Sequence, residues 1–185
     1  MNDICKETGA YLRDSLEGHF FDKALAESIS DLLRQEEARS VYDLGCGHGE
    51  YTRHLKNDSF ECSGFDGNPY TNNITSGLCN TLNLSQHINL PAADAVICLE
   101  VGEHVPEKFE QTLVENISKS TSNILILSWA VEGQVGEGHV NCRNNDYIKE
   151  VFESKGFTNL PDYEIKLRQN STLSWFKNTI MVFKK

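Results

Sequence analysis

The hydrophobic and polar positions of this chain alternate between strand-like and helical spacing. Residues 95–99 and 123–129 are nearly continuous apolar runs, which is the pattern of strands covered on both faces of a parallel sheet. Shorter runs at 40–44 and 60–65 predict two earlier strands. Windows with apolar residues at helical spacing follow these runs, at 50–57, 106–117 and 147–152. The alternation predicts an α/β fold around a mostly parallel sheet.

The two ends of the chain show other patterns. Apolar residues at helical spacing over 8–36 predict two amphipathic helices, broken near Gly18, that would cap a pocket. A third strand is predicted around 87–90. Residues 163–167 and 175–183 are separated by a polar stretch and predict a closing β-hairpin.

Composition limits the number of domains and the choice of partner. A chain of 185 residues is of single-domain size, so we expect one domain over 1–185, with 1–36 as its N-terminal helical cap. Asp and Glu number 27 against 17 Lys and Arg, a formal net charge of −10. Such a surface repels polyanions, which makes nucleic acid an unfavourable partner.

The cysteines and the N-terminus indicate a cytoplasmic protein. Six cysteines show no Cys-x-x-Cys pair, and two of them fall inside predicted buried strands, which favours reduced thiols over disulfides. The first residues lack the basic and apolar stretches of a signal peptide, and no apolar run has the length of a membrane span. The sequence gives no indication of oligomeric state.

A glycine-rich turn follows the strand predicted at 40–44. Residues 41–50 read VYDLGCGHGE, with Gly45, Gly47 and Gly49 two apart. Glycines at the carboxyl end of a strand allow tight turning and close approach of the backbone to a ligand. A dinucleotide fingerprint places its third glycine five residues after the first, and the charge of Glu50 would repel a pyrophosphate. The turn therefore suits a nucleoside cofactor without phosphates, such as S-adenosylmethionine.

The turn resembles the first motif of class I S-adenosylmethionine-dependent methyltransferases, on the residues Asp43-Leu-Gly45-Cys-Gly47-His-Gly49. The next predicted strand agrees, because it ends in Asp66, 21 residues after Gly45. The resemblance implies a Rossmann-like fold, with a seven-stranded, mostly parallel sheet, an antiparallel last strand and helices on both faces.

The resemblance also implies roles for individual residues. Gly45 and Gly47 would line the methionine and ribose portion of the cofactor, and Asp43 would reach its amino-acid end through water. Asp66 would bind the ribose hydroxyls. Asn68 would flank the adenine, and Leu99, at the end of the fourth strand, belongs to the same predicted cofactor site. The acidic residue that the family often places after its third strand is not evident around 83–85.

A second group of chemically active residues follows the fourth strand. Glu100, Glu103 and His104 lie within five positions of one another, and in a helical turn they would share one face. Two carboxylates held that closely repel unless a proton, water or a cation intervenes. His139, in the loop after the next strand, lies at the same predicted sheet edge and would complete the set.

The pattern Glu-x-x-Glu-His with a later histidine resembles the Mg²⁺ or Mn²⁺ site of two groups of methyltransferases. These are the ubiquinone-pathway O-methyltransferases and the small-RNA 3'-terminal 2'-O-methyltransferases. The resemblance implies that Glu100, Glu103, His104 and His139 are metal ligands, and that Glu100, His104 and His139 take part in catalysis. Carboxylate and imidazole ligands with open positions suit Mg²⁺ or Mn²⁺.

Two other interpretations of this segment stay open. The acids could stabilise the dipole of a following helix, with His104 hydrogen-bonded inside the fold. Alternatively the site is metal-free, and Glu100 or His104 is a general base.

The sequence as a whole predicts a methyltransferase that acts on a small-molecule acceptor, with oxygen favoured if a metal binds. Because the chain is acidic, an RNA-end 2'-O-methyltransferase is the weaker alternative. A third reading is a noncatalytic subunit that binds S-adenosylmethionine.

Overall fold

The computed structural model describes residues 4–14 and 19–185. Its strands are β1 (Ser40–Leu44), β2 (Glu61–Asp66), β3 (Cys79–Thr81), β4 (Ala93–Leu99), β5 (Thr121–Ser128), β6 (Thr158–Asn159) and β7 (Met181–Lys184). They form one sheet in the order β3-β2-β1-β4-β5-β7-β6. The switch in strand order falls between β1 and β4, the position at which open α/β sheets bind their ligands.

Strand direction agrees with the sequence prediction. β1 pairs in parallel with β2 and with β4, and β4 pairs in parallel with β5. β7 runs antiparallel to both β5 and β6, so it is the reversed strand of the sheet. The predicted Rossmann-like fold, a mostly parallel seven-stranded sheet with its last strand antiparallel, is confirmed.

Helices cover both faces of the sheet. They are α1 (Lys23–Gln35), α2 (Glu50–Asn57), α3 (Thr71–Ile74), α4 (Glu110–Ser120), α5 (Asn145–Glu153), α6 (Pro161–Asn170) and α7 (Phe176–Thr179), with a 3₁₀ turn at Glu107–Phe109. Side chains of α1, α2, α6 and α7 form the core on one face. Side chains of α4 and α5 form the core on the other face. The central strands are therefore buried on both sides, as their continuous apolar runs predict.

The third strand was predicted in the wrong place. It lies at Cys79–Thr81, paired with β2, whereas residues 87–90 form no strand. The amide side chain of Asn116 forms hydrogen bonds with the backbone of residues 84–88. It accepts from the Ile88 N–H and donates to the carbonyl oxygens of Leu84 and Gln86.

The predicted closing hairpin is also wrong. Residues 163–167 belong to helix α6, and residues 176–179 form helix α7 before β7 begins. Pro161 starts α6 and Asp162 lies in its first turn, and both residue types favour a helix N-terminus. The apolar spacing of this segment fits a helix packed on α1 as well as it fits a strand.

One of the two predicted N-terminal helices forms. α1 begins at Lys23, with the side chain of Asp22 accepting from the Leu25 N–H as its N-cap. Residues 8–14 are not helical and run as turn and extended segments. The predicted break at Gly18 lies outside the described residues. Among residues 4–14 and 19–185, no helix combines the length and the apolar character that crossing a membrane requires.

Candidate functional site

The glycine turn connects β1 to α2 at the carboxyl edge of the sheet. The N–H groups of Gly45 and Cys46 both donate to the Phe65 carbonyl oxygen, at 2.7 and 2.9 Å. Gly45 has a φ of +83°, and a Cβ on it would lie 2.2 Å from the Val101 side chain. A larger residue therefore fits neither the backbone conformation nor the space.

Asp66 is fixed against this turn by two backbone donors. Its Oδ2 accepts from the Gly47 N–H and its Oδ1 from the Asn68 N–H, both at 2.9 Å. The carboxylate is thus pre-oriented at the end of β2, beside the glycines, as predicted for a residue that binds ribose hydroxyls.

Asp43 lies at the floor of the site and is 3% exposed. Its Oδ2 accepts from the Thr52 hydroxyl at 2.7 Å. Burial raises the pKa of Asp43 to about 7, although the Thr52 hydrogen bond opposes the shift. The carboxyl group therefore changes its charge near neutral pH.

Replacing Asp43 with Asn is expected to remove a pH-dependent loss of stability. The unfolded chain ionises Asp43 near its ordinary pKa of about 3.9, whereas the folded protein keeps the proton up to about pH 7. The fold is therefore penalised increasingly as pH rises between these values. From pH 5 to 7.5 the free energy of unfolding should fall by about 2–3 kcal/mol more in the wild type than in the variant.

Urea denaturation at the two pH values measures this difference. Asp31→Asn, at an exposed position on α1, is the matched control and should show no such effect. Equal pH dependence in the wild type and the Asp43 variant would contradict the buried, protonated carboxyl group.

A cavity of about 720 Å³ opens above the glycine turn, within the usual range of ligand sites. Asp43, Gly45, Gly47, Asp66 and Leu99, for which a cofactor role is predicted, line this cavity. Asn68 is not among its lining residues. The Asn68 side chain instead accepts from the Tyr70 N–H and donates to the Arg13 carbonyl oxygen. Residues 83–85 do line the cavity, although no acid marks them in the sequence.

Glu103 is fully buried at the other end of this cavity. It has 0% exposure, and neither carboxylate oxygen has a hydrogen-bond partner among the described residues. Burial, together with the charge of Glu100, raises the pKa of Glu103 well above its ordinary value. A buried carboxyl group without partners costs free energy unless a proton or a cation compensates it.

Two histidines complete a group around Glu103. One donor atom from each of Glu103, His104 and His139 lies within 4.8 Å of the other two. Burial lowers the pKa of His104 to about 4, helped by the neighbouring His139, and its buried Nδ1 has no hydrogen-bond partner. The Nδ1 of His139 lies 3.0 Å from the Gln134 carbonyl oxygen, an arrangement that leaves Nε2 available as a ligand.

Glu100 lies beside this group, but its carboxylate is bound by other side chains. Glu100 has a φ of +53°, unusual for a residue with a side chain, and the turn through 101–105 begins after it. Its carboxylate accepts from the Gln134 amide at 2.9 Å and from the Thr179 hydroxyl at 3.1 Å. Glu103 and His104 therefore share one face of the turn, as predicted, whereas Glu100 does not lie on that face.

A polar network holds the His139 loop against the start of α4. Although burial acts to raise the pKa of Glu110, hydrogen bonds from Tyr147, Arg143 and Asn141 outweigh it and lower that pKa. Trp129, 0% exposed, donates its indole N–H to the Asn141 carbonyl oxygen at 2.6 Å. Sequence reasoning missed this network, because its members lie on three separate elements.

Replacing Glu110 with Ala should loosen the His139 loop. Asn141, Arg143 and Tyr147 would lose a common acceptor, which should lower the free energy of unfolding by about 2–3 kcal/mol. Mn²⁺ affinity should fall about tenfold or more, as for other residues that support metal ligands. Calorimetry and urea denaturation measure the two effects. Glu115→Ala, on the exposed face of the same helix, is the control, and unchanged Mn²⁺ affinity in the Glu110 variant would contradict its positioning role.

Residues 8–11 and 19–21, none of them helical, line the cavity. Tyr11 packs edge to face on the rings of His19 and His104, and its hydroxyl donates to the Glu137 carbonyl oxygen at 3.1 Å. His19 also lies against Gly47, where a Cβ would be 2.5 Å from its ring. Helical periodicity in the sequence concealed these contacts, which connect the cofactor turn with the histidine group.

Comparison with known sequences identifies one family. The family model described as a methyltransferase domain matches residues 18–122, which is more than half of the chain. No curated protein matches the sequence.

Solved structures with the same fold are distant in sequence. The sugar N-methyltransferase KedS8 from Streptoalloteichus sp ATCC 53650 has a TM-score of 0.69 at 13% identity, covering 92% of this chain and 96% of that one. Magnesium protoporphyrin IX methyltransferase from Synechocystis PCC 6803, with bound S-adenosylhomocysteine, has a TM-score of 0.65 at 17% identity, covering 86% and 81%. The methyltransferase domain of a bacterial Hen1 has a TM-score of 0.62 at 17% identity, covering 88% and 98%.

Proposed function

This chain belongs to the methyltransferase domain family of S-adenosylmethionine-dependent enzymes, and from that premise we propose that it methylates a hydroxyl oxygen of a small molecule with the help of Mg²⁺ or Mn²⁺. The observation that carries the proposal is the group of buried Glu103 with partly buried His104 and His139, whose donor atoms lie within 4.8 Å of one another. The group lines the same cavity as the glycine turn.

The cofactor is proposed to lie along the carboxyl ends of β1, β2 and β4. At the turn, Gly45 and Gly47 let the backbone pass close to Val101 and His19, and Asp66 presents a carboxylate fixed by two N–H donors. The remaining cofactor residues are Asp43 and Leu99, both in the cavity lining, and residues 83–85 on the adenine side. The Synechocystis enzyme, which carries S-adenosylhomocysteine, supports this choice of cofactor.

The three-residue group fits a divalent cation. Glu103 has two buried oxygens without partners, and the buried Nδ1 of His104 also lacks one. His104 is neutral at physiological pH because its pKa is about 4, so protons do not compete for its nitrogen. One carboxylate and two imidazoles leave positions open for other oxygen ligands, as Mg²⁺ and Mn²⁺ require.

The roles of the residues follow from this arrangement. A bound cation would lower the pKa of the acceptor hydroxyl and fix its position. Glu103, His104 and His139 would hold the cation, and the Tyr11 side chain shields the His104 ring. Methyl transfer would form a carbon–oxygen bond and break the carbon–sulfur bond of the cofactor, and the hydroxyl proton would pass to a base. We assign that base to Glu100, whose carboxylate lies close enough to Glu103 to affect its pKa.

The RNA-end alternative lacks support at the site. No Lys or Arg is among the described residues that line the cavity, including those around His139. An RNA terminus brings phosphates that need such contacts. We therefore retain a small-molecule acceptor.

Two further assignments belong to the same proposal. We place the enzyme in the cytoplasm, which is supported by six free cysteines. We also propose one domain over 1–185, with 1–36 as its cap. Residues 8–11 and 19–21 of that segment line the cavity.

Incubation with methyl-labelled S-adenosylmethionine and a panel of hydroxyl-bearing and amine-bearing small molecules tests the function. Label should enter hydroxyl acceptors, disappear with EDTA and return with Mn²⁺. Transfer that EDTA leaves unchanged would indicate metal-free base catalysis, and transfer to amines alone would contradict the choice of oxygen. Cofactor binding without transfer to any acceptor would favour a noncatalytic subunit.

A further inference from the structure

The cavity is lined by many acidic side chains. Six carboxyl groups and four histidines are among its described lining residues, and no Lys or Arg is. The carboxyl groups belong to Asp43, Glu50, Asp66, Glu100, Glu103 and Glu137. A proposed divalent cation and the cofactor sulfonium would offset part of the negative charge. An acceptor with its own carboxylate or phosphate would still meet these acids without a Lys or Arg to pair with.

Two arginines that lie close in sequence to lining residues form ion pairs with acids. Arg13 forms a 2.7 Å ion pair with Glu137, and its guanidinium lies 4.7 Å from the centre of the Tyr11 ring. Arg143 pairs with Glu107 and Glu110 at 2.6 and 2.7 Å. Neither guanidinium lines the cavity, so recruiting one to an anionic acceptor would break an existing ion pair.

The cavity also carries exposed apolar side chains. Phe20 is 65% exposed and meets the Trp175 ring edge to face, with ring centres 5.6 Å apart. Val135, in the loop that also carries His139, is 98% exposed. Phe20, Trp175 and Val135 all line the cavity. We call these three residues the apolar collar. Apolar side chains left exposed at a ligand cavity mark a surface that a ligand covers.

From the charge and the apolar collar together, we infer that the acceptor is an uncharged or cationic aromatic alcohol that packs on Phe20 and Trp175. Aromatic side chains bind a planar ring by stacking or edge contact, and a cationic substituent is attracted both by their faces and by the surrounding carboxylates. The inference rests on the methyl-transfer function proposed above and specifies its substrate class.

Equilibrium titration with three naphthols tests the inference. The probes are 2-naphthol, 6-hydroxy-2-naphthoate and 6-aminomethyl-2-naphthol, which share a ring and a hydroxyl but differ in charge. Each is titrated into protein saturated with S-adenosylhomocysteine and Mg²⁺. The carboxylate probe should bind about tenfold more weakly than the other two or worse. Equal or tighter binding of the carboxylate probe, or no binding of any probe, would overturn the inference.

Two variants make the test specific to the apolar collar. Phe20→Ala should weaken 2-naphthol binding about fivefold or more, whereas Tyr70→Ala, at an exposed aromatic residue outside the cavity, should leave it unchanged. Val135→Lys introduces a positive charge at a fully exposed lining position. It should reduce the difference in binding affinity between the carboxylate probe and the neutral probe. Phe20→Ala without effect would overturn the assigned contact.

Separate measurements test the cofactor site, the methyl transfer and the substrate class. S-adenosylhomocysteine affinity, measured before any probe is added, tests the cofactor site, and release of label from S-adenosylmethionine tests methyl transfer. An enzyme that binds cofactor, transfers methyl groups and prefers the carboxylate probe would refute the substrate class alone.

Discussion

Replacing Asp66 with Ala is expected to weaken binding of S-adenosylhomocysteine by about ten- to a hundredfold, the range for losing hydrogen bonds to a charged group. The carboxylate is held at the end of β2 by the N–H groups of Gly47 and Asn68, so it needs no reorientation to accept from ribose hydroxyls. Isothermal titration calorimetry of the purified variant measures the loss.

Two control variants show whether a loss of affinity comes from the missing ribose contact or from a disturbed glycine turn. Asp66→Asn keeps one oxygen acceptor and should lose less affinity than Asp66→Ala. Asp31→Ala removes an exposed carboxylate on α1 and should bind as the wild type does. Wild-type affinity in Asp66→Ala would dismiss Asp66 as a cofactor ligand.

Replacing His104 with Ala should reduce metal-stimulated methyl transfer about a hundredfold or more while S-adenosylhomocysteine affinity changes little. The His104 ring packs between Tyr11 and His139, and its neutral imidazole offers a nitrogen to the proposed cation. Losing one of three protein ligands leaves the cation weakly held and poorly placed. Initial rates with and without Mn²⁺ measure the effect.

A surface histidine provides the comparison for this variant. His87 is 70% exposed in its side chain, far less buried than His104, and His87→Ala should retain full activity. If His104→Ala also retains normal, metal-stimulated turnover, His104 is a structural histidine and the metal assignment fails.

The position of the glycine turn beside Asp66 was predictable because its determinants are local. A strand, a glycine turn and the acid ending the next strand depend on short-range backbone geometry, and the structure places Gly45, Gly47 and Asp66 together in the cavity lining. The continuous apolar runs of β4 and β5 likewise predicted that these strands are buried on both faces of the sheet.

Predictions failed where local pattern and tertiary context compete. The helical spacing over 8–36 describes α1, but residues 8–14 are not helical, and residues 8–11 line the cavity, where Tyr11 contacts His104. The apolar spacing of residues 163–167 fits a strand as well as a helix. Packing against α1 favours the helix. The amide of Asn116 holds residues 84–88 outside the sheet, and no sequence spacing indicates that contact.

For the second group of predicted residues, the composition could be read from the sequence but the geometry could not. Glu103 and His104 lie close to the later His139, while their role as metal ligands stays a prediction. A helical turn starting at position 100 would also have included Glu100, but the positive φ of that residue turns its side chain to Gln134 and Thr179. Such a backbone conformation depends on the surrounding structure rather than on the residue type.

Calorimetric titration of Mn²⁺ into protein saturated with S-adenosylhomocysteine, repeated on Glu103→Gln, tests whether Glu103, His104 and His139 bind a cation. The variant keeps the size of the side chain and removes a buried carboxyl group, so it should fold at least as stably as the wild type. We expect saturable binding at one site in the wild type and affinity about a hundredfold weaker in the variant. No saturable binding in the wild type, or equal affinity in the two proteins, would contradict metal-assisted transfer.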